Sequence, residues 1–565
     1  MGNELFLPIL FALPLWYCLG IYARSRAQRD KSTLPFVEKY LFRGNRPELA
    51  IGSNIGSSFT VAYFLFTIPA AAFHNGSTFI IYFLVSLLLA YVSSYLIWHF
   101  GLSKAFADRQ RGEYHSFVLI SIDRIAARYG DDAAQATAAF VHAYYFFFYL
   151  AITAVEIGAL TWLLSLMGGS NVAYLEVIWL VLAVCLSYLL LGGFRGALLT
   201  DAFQLLMIYG FAVLVVAYWA GAVWPAPTSG VAFGEGLGTL LGWLGARLKE
   251  NYQGLTVVGT AGPTVVVITI IAMTLCSVAW ILSAPDFWIR TYGTIDKGKG
   301  KVLVFSGLGV SLTVGLMTMV ALFFRSVATG SVKIDGFEMA ASFDKIYLVG
   351  TDIVQGILRV DSPVFAPLFV LCLFAVSLTT IDTYVMTLVQ INGEGTDKTR
   401  TWRCGIKAAM RKTGPRVLIV CFLVLTGVLG LLISRDLELM VHIAVIFGFS
   451  PILVWPVFLL ACARSGRSSK MRKTLQKWCG DASKFRMEFF KVYYPVVVIV
   501  SVAALVVLYA ELSYLLQGPG LVFPSCCYFT GIVLAAVLSG IWAAFRSRRY
   551  GGKHGVKAAG EESSP

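Results

Sequence analysis

The residues with the most evident chemistry lie between Phe374 and Thr387, in the sequence FAVSLTTIDTYVMT. On an α-helix of 3.6 residues per turn, its hydroxyl groups fall on one face or at the edges of that face: Ser377, Thr379, Thr380, Thr383, Tyr384 and Thr387. The segment lies inside a long apolar run and also contains Asp382. Because polar and ionised groups are costly against lipid, these oxygens are expected to face protein, water or an ion.

The composition indicates a polytopic membrane protein. Of 565 residues, 58% are hydrophobic and 13% are charged, with a mean hydropathy of +0.75, whereas soluble domains have about 25% charged residues. Apolar runs recur at the length of about 20 residues that a helix needs to cross the bilayer, and they do not alternate as barrel strands would. Thirteen spans are predicted, at 4–23, 48–73, 77–99, 135–167, 173–193, 197–222, 263–286, 302–326, 363–390, 416–434, 437–461, 492–516 and 521–545.

The basic residues predict the orientation of these spans. Most of the 45 Lys and Arg residues fall in alternate connections, beginning with the loop after the first span. The positive-inside rule then places the N-terminus outside and the C-terminus in the cytoplasm of a cell-membrane protein. The net charge of +14 is thereby explained by topology, and nucleic-acid binding is not predicted. The first span lacks a basic region before it and a cleavage site after it, so a retained helix is expected rather than a signal peptide.

Two further spans carry polar residues at mid-membrane depth. The second, 48–73, contains small and polar residues that would let a helix unwind and present carbonyl groups, or would instead let helices pack closely: Ser53, Asn54, Gly56, Ser57, Ser58 and Thr60. The fourth, 135–167, carries a polar stripe of Gln135, His142, Tyr145, Tyr149, Thr153 and Glu156. The stripe suits either structural contacts between helices or a substrate or proton path.

Two junctions combine breaks with charges. In GGFRGALLTDAFQ, residues 192–204, a Gly-Gly corner leads into a helix with Asp201, which suits either a helix-start carboxylate or an ion ligand. In SAPDFWIRTYGTID, Pro285 is expected to interrupt the helix, and Arg290 is expected to begin a basic loop.

In this order, GGFRGALLTDAFQ, PDFWIRTYGTID (285–296) and AVSLTTIDT (375–383) resemble the sodium:solute symporter family, whose members have the leucine-transporter fold. The resemblance covers about residues 1–460. It implies an all-α protein with two inverted five-helix repeats, one extra helix before them and two after them. The implied regions are 1–47 (extra helix and basic loop), 48–222 (first repeat), 223–262 (extracellular loop), 263–461 (second repeat) and 462–565 (basic loop, two helices and tail).

The resemblance also implies a sodium site made of carbonyl groups from the first core helix and a carbonyl and two hydroxyls from the eighth. Carried over by motif, the hydroxyls are those of Thr379 and Thr380, and the carbonyl is that of Val376. Three registers remain open for the first core helix, namely Ser57 with Thr60, Ser58 with Val61, and Gly52 with Ile55, of which the first two are favoured. Hydroxyl and carbonyl oxygens suit a hard monovalent cation. Asp201 matches the family's acidic residue near the inner exit of the ion.

The function implied is sodium-coupled uptake of a small polar organic solute by alternating access, in a chain that is not an enzyme. Its expected partners are sodium, the solute and the bilayer, with no protein partner required. Candidate solute contacts are Tyr145, Tyr149, Glu156 and Trp280, with Glu156 suiting an amine. Ile289 replaces the family's usual Gln, so the substrate is not predicted. The alternatives are a solute sensor acting through a partner, and proton coupling through Asp201, His142 or Glu156.

Overall fold

The computed structural model of the chain describes residues 7–29, 47–58, 68–75, 77–97, 131–168, 174–223, 284–292, 299–328, 348–358, 365–393 and 414–437, with some single positions between and after these ranges. Every regular element in these ranges is a helix. In chain order they are α1 (Leu7–Gln28), α2 (Pro47–Gly56), α3 (Ile68–Asn75), α4 (Ser77–Ile97), α5 (Asp131–Gly168), α6 (Tyr174–Val223), α7 (Pro285–Tyr292), α8 (Lys299–Ala328), α9 (Val349–Leu358), α10 (Phe365–Gly393) and α11 (Pro415–Ile433).

Within the described part of the chain, four apolar stretches are long enough to cross a membrane: Val141–Met167 in α5, Leu175–Gly210 in α6, Pro367–Ile391 in α10 and Pro415–Ile433 in α11. α5, α8, α10 and α11 occupy the predicted spans 135–167, 302–326, 363–390 and 416–434 to within four residues at each end. The described part of the chain is therefore all-helical, and the chain is a membrane protein. The predicted spans 492–516 and 521–545 and the loop 224–262 lie outside the described residues.

α10 is the central helix among those described. It packs against α5 and α6 most extensively, and also against α1, α7 and α11. In an apolar window of Pro367–Ile391, 89% of the residues are buried by protein, compared with 28% for Pro415–Ile433 in α11. Because neighbours surround it, α10 can carry polar groups on several faces without exposing them to lipid.

α6 combines the two predicted spans 173–193 and 197–222, which are separated by a kink at Gly193. Gly193 has φ 56° and ψ −142°, a conformation that side-chain-bearing residues rarely adopt. α1 crosses α6 next to this kink. A Cβ at Gly20 would lie 2.9 Å from the Cα of Tyr188, so the absence of a side chain at Gly20 permits this close crossing.

Two short helices meet near the middle of α10. α2 ends at Gly56, well inside the predicted span 48–73, and α7 begins at Pro285. Both α2 and α7 contact α10 and each other. The helix is interrupted before Pro285, as expected: Ala284 is not helical, and Pro285 begins α7, where its missing N–H costs little. The expectation for Arg290 was wrong, because it lies inside α7 at 2% exposure instead of beginning a loop.

Candidate ion and solute site

The end of α2 meets α10 at a cluster of buried oxygens. The Thr379 hydroxyl donates to the Val376 carbonyl at 2.7 Å and reaches the Gly56 carbonyl at 3.2 Å. The Thr380 hydroxyl lies 3.4 Å from the same Val376 carbonyl. All four residues are buried. We call Gly56, Val376, Thr379 and Thr380 the oxygen cluster; it contains two carbonyl and two hydroxyl oxygens without a charged side chain.

The turn after α2 explains why a carbonyl of this helix reaches α10. Ser57 N–H donates to the Ser53 carbonyl at 3.0 Å, and Ser58 N–H donates to the Ile55 carbonyl at 3.2 Å. The helix then ends, and the Gly56 carbonyl is directed to Thr379. A Cβ at Gly56 would lie 3.4 Å from the Cγ2 of Thr379. The small residues predicted to permit unwinding therefore occur where the helix does end.

Beside the oxygen cluster lies a group of four buried charged residues, which we call the charge cluster: Asp201, Asp286, Arg290 and Asp382. Arg290 is at its centre, with its guanidinium 3.9 Å from the Asp201 carboxylate and 3.6 Å from that of Asp286. It also donates to the Ser57 hydroxyl at 2.5 Å and to the Thr383 hydroxyl. Arg290 thereby connects α7 to the end of α2, to α6 and to α10.

Asp382 belongs to the same cluster from the opposite side. The Tyr188 hydroxyl donates to its carboxylate at 2.7 Å, and the Thr200 hydroxyl lies 3.4 Å from the same oxygen. The negative charges of Asp382 and Asp201 disfavour each other. Ser53 donates to Asp201. The four residues of the charge cluster include three carboxyl groups and one guanidinium, so ionisation of all of them leaves two negative charges in excess.

Asp201 does not lie at a helix start. It is fully buried, follows the kink at Gly193 by more than two turns, and faces Ser53 and Arg290. A Cβ at Gly56 would lie 3.7 Å from the Asp201 carbonyl oxygen, so α6 passes directly beside the oxygen cluster. This placement brings Asp201 next to the residues predicted to bind sodium.

A cavity of about 110 Å³ lies between the end of α2 and helices α4, α5, α8 and α10. Its lining includes Ser58, at the turn after α2, and Tyr384, one turn beyond Thr380 in α10. Trp280, one of the predicted solute contacts, also lines it. The cavity and the oxygen cluster thus share two elements, the turn after α2 and the middle of α10.

The other three predicted solute contacts lie on α5 and have partners in the protein. Tyr149 donates to Asp286 at 2.6 Å and packs on Tyr384 with ring centroids 5.0 Å apart. Tyr145 packs on Tyr149 at 5.9 Å. Glu156 accepts a 2.6 Å hydrogen bond from the backbone N–H of Val61, just after the end of α2. These residues support the walls of the site, and their contact with solute stays a prediction.

The ligand registers predicted for the first core helix also stay predictions. The carbonyl that reaches α10 belongs to Gly56, between the Gly52–Ile55 and Ser57–Thr60 registers. Ser57 contacts Arg290, Ser58 lines the cavity, and Thr60 lies outside the described residues. The sequence interpretation missed the role of Arg290. The signal available was Asp286 four residues before it, a spacing that favours an ion pair within one helix.

No protein-family model and no curated protein matches the chain. Among solved structures, it is similar to a Na⁺-coupled sialic acid symporter in a substrate-bound outward-open state. The TM-score is 0.63 at 15% identity, and the match covers 96% of this chain and 98% of that one. The chain therefore shares the fold of that symporter. The nucleobase-cation-symport-1 family transporter Mhp1 in a closed conformation with bromovinylhydantoin bound matches with a TM-score of 0.42 at 14% identity, covering 91% and 94%. A manganese transporter of Eremococcus coleocola matches with a TM-score of 0.36 at 15% identity, and the match covers 89% of this chain and 95% of that one.

Proposed function

We propose that this chain is a sodium-coupled symporter of the sodium:solute symporter family that takes up a small organic solute by alternating access. The observation that carries the proposal is the oxygen cluster, in which the Gly56 carbonyl at the end of α2 meets Thr379 and the Val376 carbonyl in α10. Neutral carbonyl and hydroxyl oxygens are suitable ligands for a hard monovalent cation. The fold likeness to a Na⁺-coupled symporter supports the choice of sodium.

The charge cluster gives a second reason for a cation. An excess of buried carboxylates is unfavourable in a low-dielectric interior unless positive charge or a bound proton compensates it. Arg290 supplies one positive charge, and an inward-moving sodium ion beside Asp201 would supply another. Asp201 is accordingly proposed as the residue that the ion meets on its way to the cytoplasm.

The arrangement also suggests how ion and solute binding are coupled. A cation held by Gly56 and Thr379 fixes the end of α2 against α10, and the same two elements place Ser58 and Tyr384 in the cavity wall. Solute affinity is then greatest in the state in which sodium is bound, which is the differential affinity that coupling requires. At about 100 mV, inside negative, one inward charge contributes roughly 2.3 kcal/mol, or about fifty-fold accumulation of solute.

We propose the leucine-transporter arrangement of thirteen spans with an external N-terminus. In this arrangement α2 and α3 belong to the first core helix, α4 and α5 are the second and third, and the two halves of α6 are the fourth and fifth. α7 is the end of the sixth core helix, and α8, α10 and α11 are the seventh, eighth and ninth. The proposed regions keep the boundaries 1–47, 48–222, 223–262, 263–461 and 462–565.

The test is solute uptake into proteoliposomes across a compound panel, with sodium or choline as the external cation. Thr379→Ala and Thr380→Ala should each reduce sodium-dependent uptake at least tenfold, because each removes one ligand oxygen. Thr426→Ala in α11 is a matched control, since this buried hydroxyl bonds only to carbonyls of its own helix among the described residues, at 2.8 and 3.1 Å. Uptake that needs neither sodium nor these two hydroxyls would contradict the proposal. Uptake driven by a proton gradient alone would show that the coupling ion is the proton and not sodium.

A further inference from the structure

The cavity beside the oxygen cluster has a predominantly apolar wall. Of the described residues that line it, twelve are apolar or aromatic and the other two are serines. They come from at least four described helices and from the turn after α2: Ser58, Phe83, Leu87, Tyr91, Phe148, Ile152, Val155, Ser277, Trp280, Ile281, Val310, Val314, Tyr384 and Ala444. The only side-chain hydrogen-bonding groups in this set are the hydroxyls of Ser58, Ser277, Tyr91 and Tyr384 and the indole N–H of Trp280.

The acidic residues nearest to the cavity are directed to other groups. Glu156 accepts a hydrogen bond from Val61 N–H, and Asp286 accepts one from Tyr149 and faces Arg290. None of the described lining residues is Asp, Glu, Lys, Arg or His. A charged solute would therefore lose its hydration in this cavity without gaining a charged side chain as partner among the described lining residues, which is unfavourable. The sodium ion proposed at the oxygen cluster is held outside this lining, since none of the four residues of that cluster belongs to it.

The size of the cavity limits the part of the solute that it can hold. An apolar cavity of about 150 Å³ in another protein binds one benzene molecule, and the cavity here measures about 110 Å³. The space thus suits a single ring or a branched aliphatic group. The hydroxyl of Ser58, at the edge of the oxygen cluster, donates its hydrogen to the Asn54 carbonyl at 2.6 Å, and its oxygen lone pairs are placed to accept a hydrogen bond from a polar substituent.

We propose that the solute is uncharged and inserts a single ring or a group of similar size into this cavity, with one hydrogen-bonding substituent directed to Ser58. This inference rests on the proposed symport function, whose solute site it specifies. It replaces the amine-bearing solute suggested by Glu156, because Glu156 is not among the described residues that line the cavity. Recognition comes from shape and hydroxyl groups instead of an ion pair.

The test uses three probes that share one ring and differ in charge: benzamide, benzoate and benzylammonium. Binding is measured on the full chain in nanodiscs as the concentration dependence of the thermal midpoint, in sodium chloride and in choline chloride. Benzamide should stabilise the protein at concentrations at least tenfold lower than either ion does, and more strongly in sodium. Equal or tighter binding of benzoate or benzylammonium, or no stabilisation by benzamide, would overturn the inference.

A pair of adjacent residues in α4 locates the binding. Leu87 lines the cavity, whereas Leu88 is 41% exposed on the outer surface of the same helix. Leu87→Gln should weaken benzamide binding at least tenfold and leave stabilisation by sodium intact, and Leu88→Gln should change neither. Equal benzamide affinity in the two variants would remove the cavity as the site.

The same data separate the two proposals. Stabilisation by sodium combined with preference for a charged probe would refute the uncharged solute and leave sodium coupling standing. The absence of any sodium effect, with benzamide still preferred, would refute sodium coupling. The proposal that the cavity binds an uncharged solute would then remain.

Discussion

Arg290 is the residue whose removal should disturb the site most. In Arg290→Gln, the charge cluster keeps three carboxyl groups and loses its guanidinium, which lies 3.9 Å from Asp201 and 3.6 Å from Asp286. A charge pair about 4 Å apart is worth about 4 kcal/mol at an effective dielectric constant of 20. Removal of one partner from a buried pair typically costs about 3–5 kcal/mol. We therefore expect the free energy of unfolding to fall by about 3–5 kcal/mol.

The assay is the thermal midpoint of the purified protein in one detergent. A loss of 1 kcal/mol shifts the midpoint by about 2–4 °C in proteins of 150–250 residues, and the shift falls as chain length grows. For 565 residues we expect about 1 °C per kcal/mol, so Arg290→Gln should lower the midpoint by about 3–5 °C. Arg416→Gln, at an exposed position of α11, is the matched control and should shift the midpoint by less than about 0.5 °C, because substitutions at exposed positions usually change stability by less than 0.5 kcal/mol.

A double variant tests whether charge is the cause. Asp286→Asn in the Arg290→Gln background removes one of the carboxylates left without a partner and should recover part of the lost midpoint. Sodium should also stabilise Arg290→Gln at lower concentration than it stabilises the wild type, since the cluster is then more negative. A double variant no more stable than Arg290→Gln, together with an unchanged sodium dependence, would refute the electrostatic account of this site.

Two pairs of glycines give further predictions. A Cβ at Gly307 would lie 2.4 Å from the ring of Tyr91, so Gly307→Val should displace this cavity residue and reduce benzamide binding. Gly315→Val is the control, because a Cβ at Gly315 has no neighbour within 4 Å among the described residues, and it should leave binding unchanged. Equal benzamide binding by the two variants would contradict this packing. Gly193→Ala should lower stability by about 1–2 kcal/mol because its φ is 56°, whereas Gly210→Ala in the same helix should raise it by about 0.5–1 kcal/mol. Thermal midpoints that do not separate this second pair would argue against the kink.

The sequence drew attention to the hydroxyl residues of α10 because their types are unusual for their surroundings. A helix with a continuous apolar run offers few places for hydroxyls, so Thr379 and Thr380 stand out without any structure. The polar residues after Gly52 likewise marked the place where α2 ends. These features are local in sequence, and local sequence patterns can be read without knowing the fold.

The sequence did not predict the contacts that determine charge and solute chemistry. Arg290 follows an apolar segment and precedes Lys-rich sequence, so a loop was expected; only the meeting of α7 with α2, α6 and α10 shows that it is buried. Glu156 was a candidate partner for an amine until the fold showed that it accepts from Val61 N–H and is not among the described residues lining the cavity. Asp382 had no predicted role before Tyr188 and Thr200 were brought to it from α6. Each of these contacts joins residues far apart in the chain.

The burial of α10 on all sides has a consequence for how this protein can change over evolution. A helix at the rim of a membrane protein, such as α11, has a lipid-facing surface on which one apolar residue can replace another at little cost. α10 has almost no such surface, so nearly every substitution in it disturbs a neighbouring helix. Changes of solute preference are therefore expected to arise from substitutions in the cavity walls supplied by α4, α5 and α8, while the sequence of α10 changes slowly.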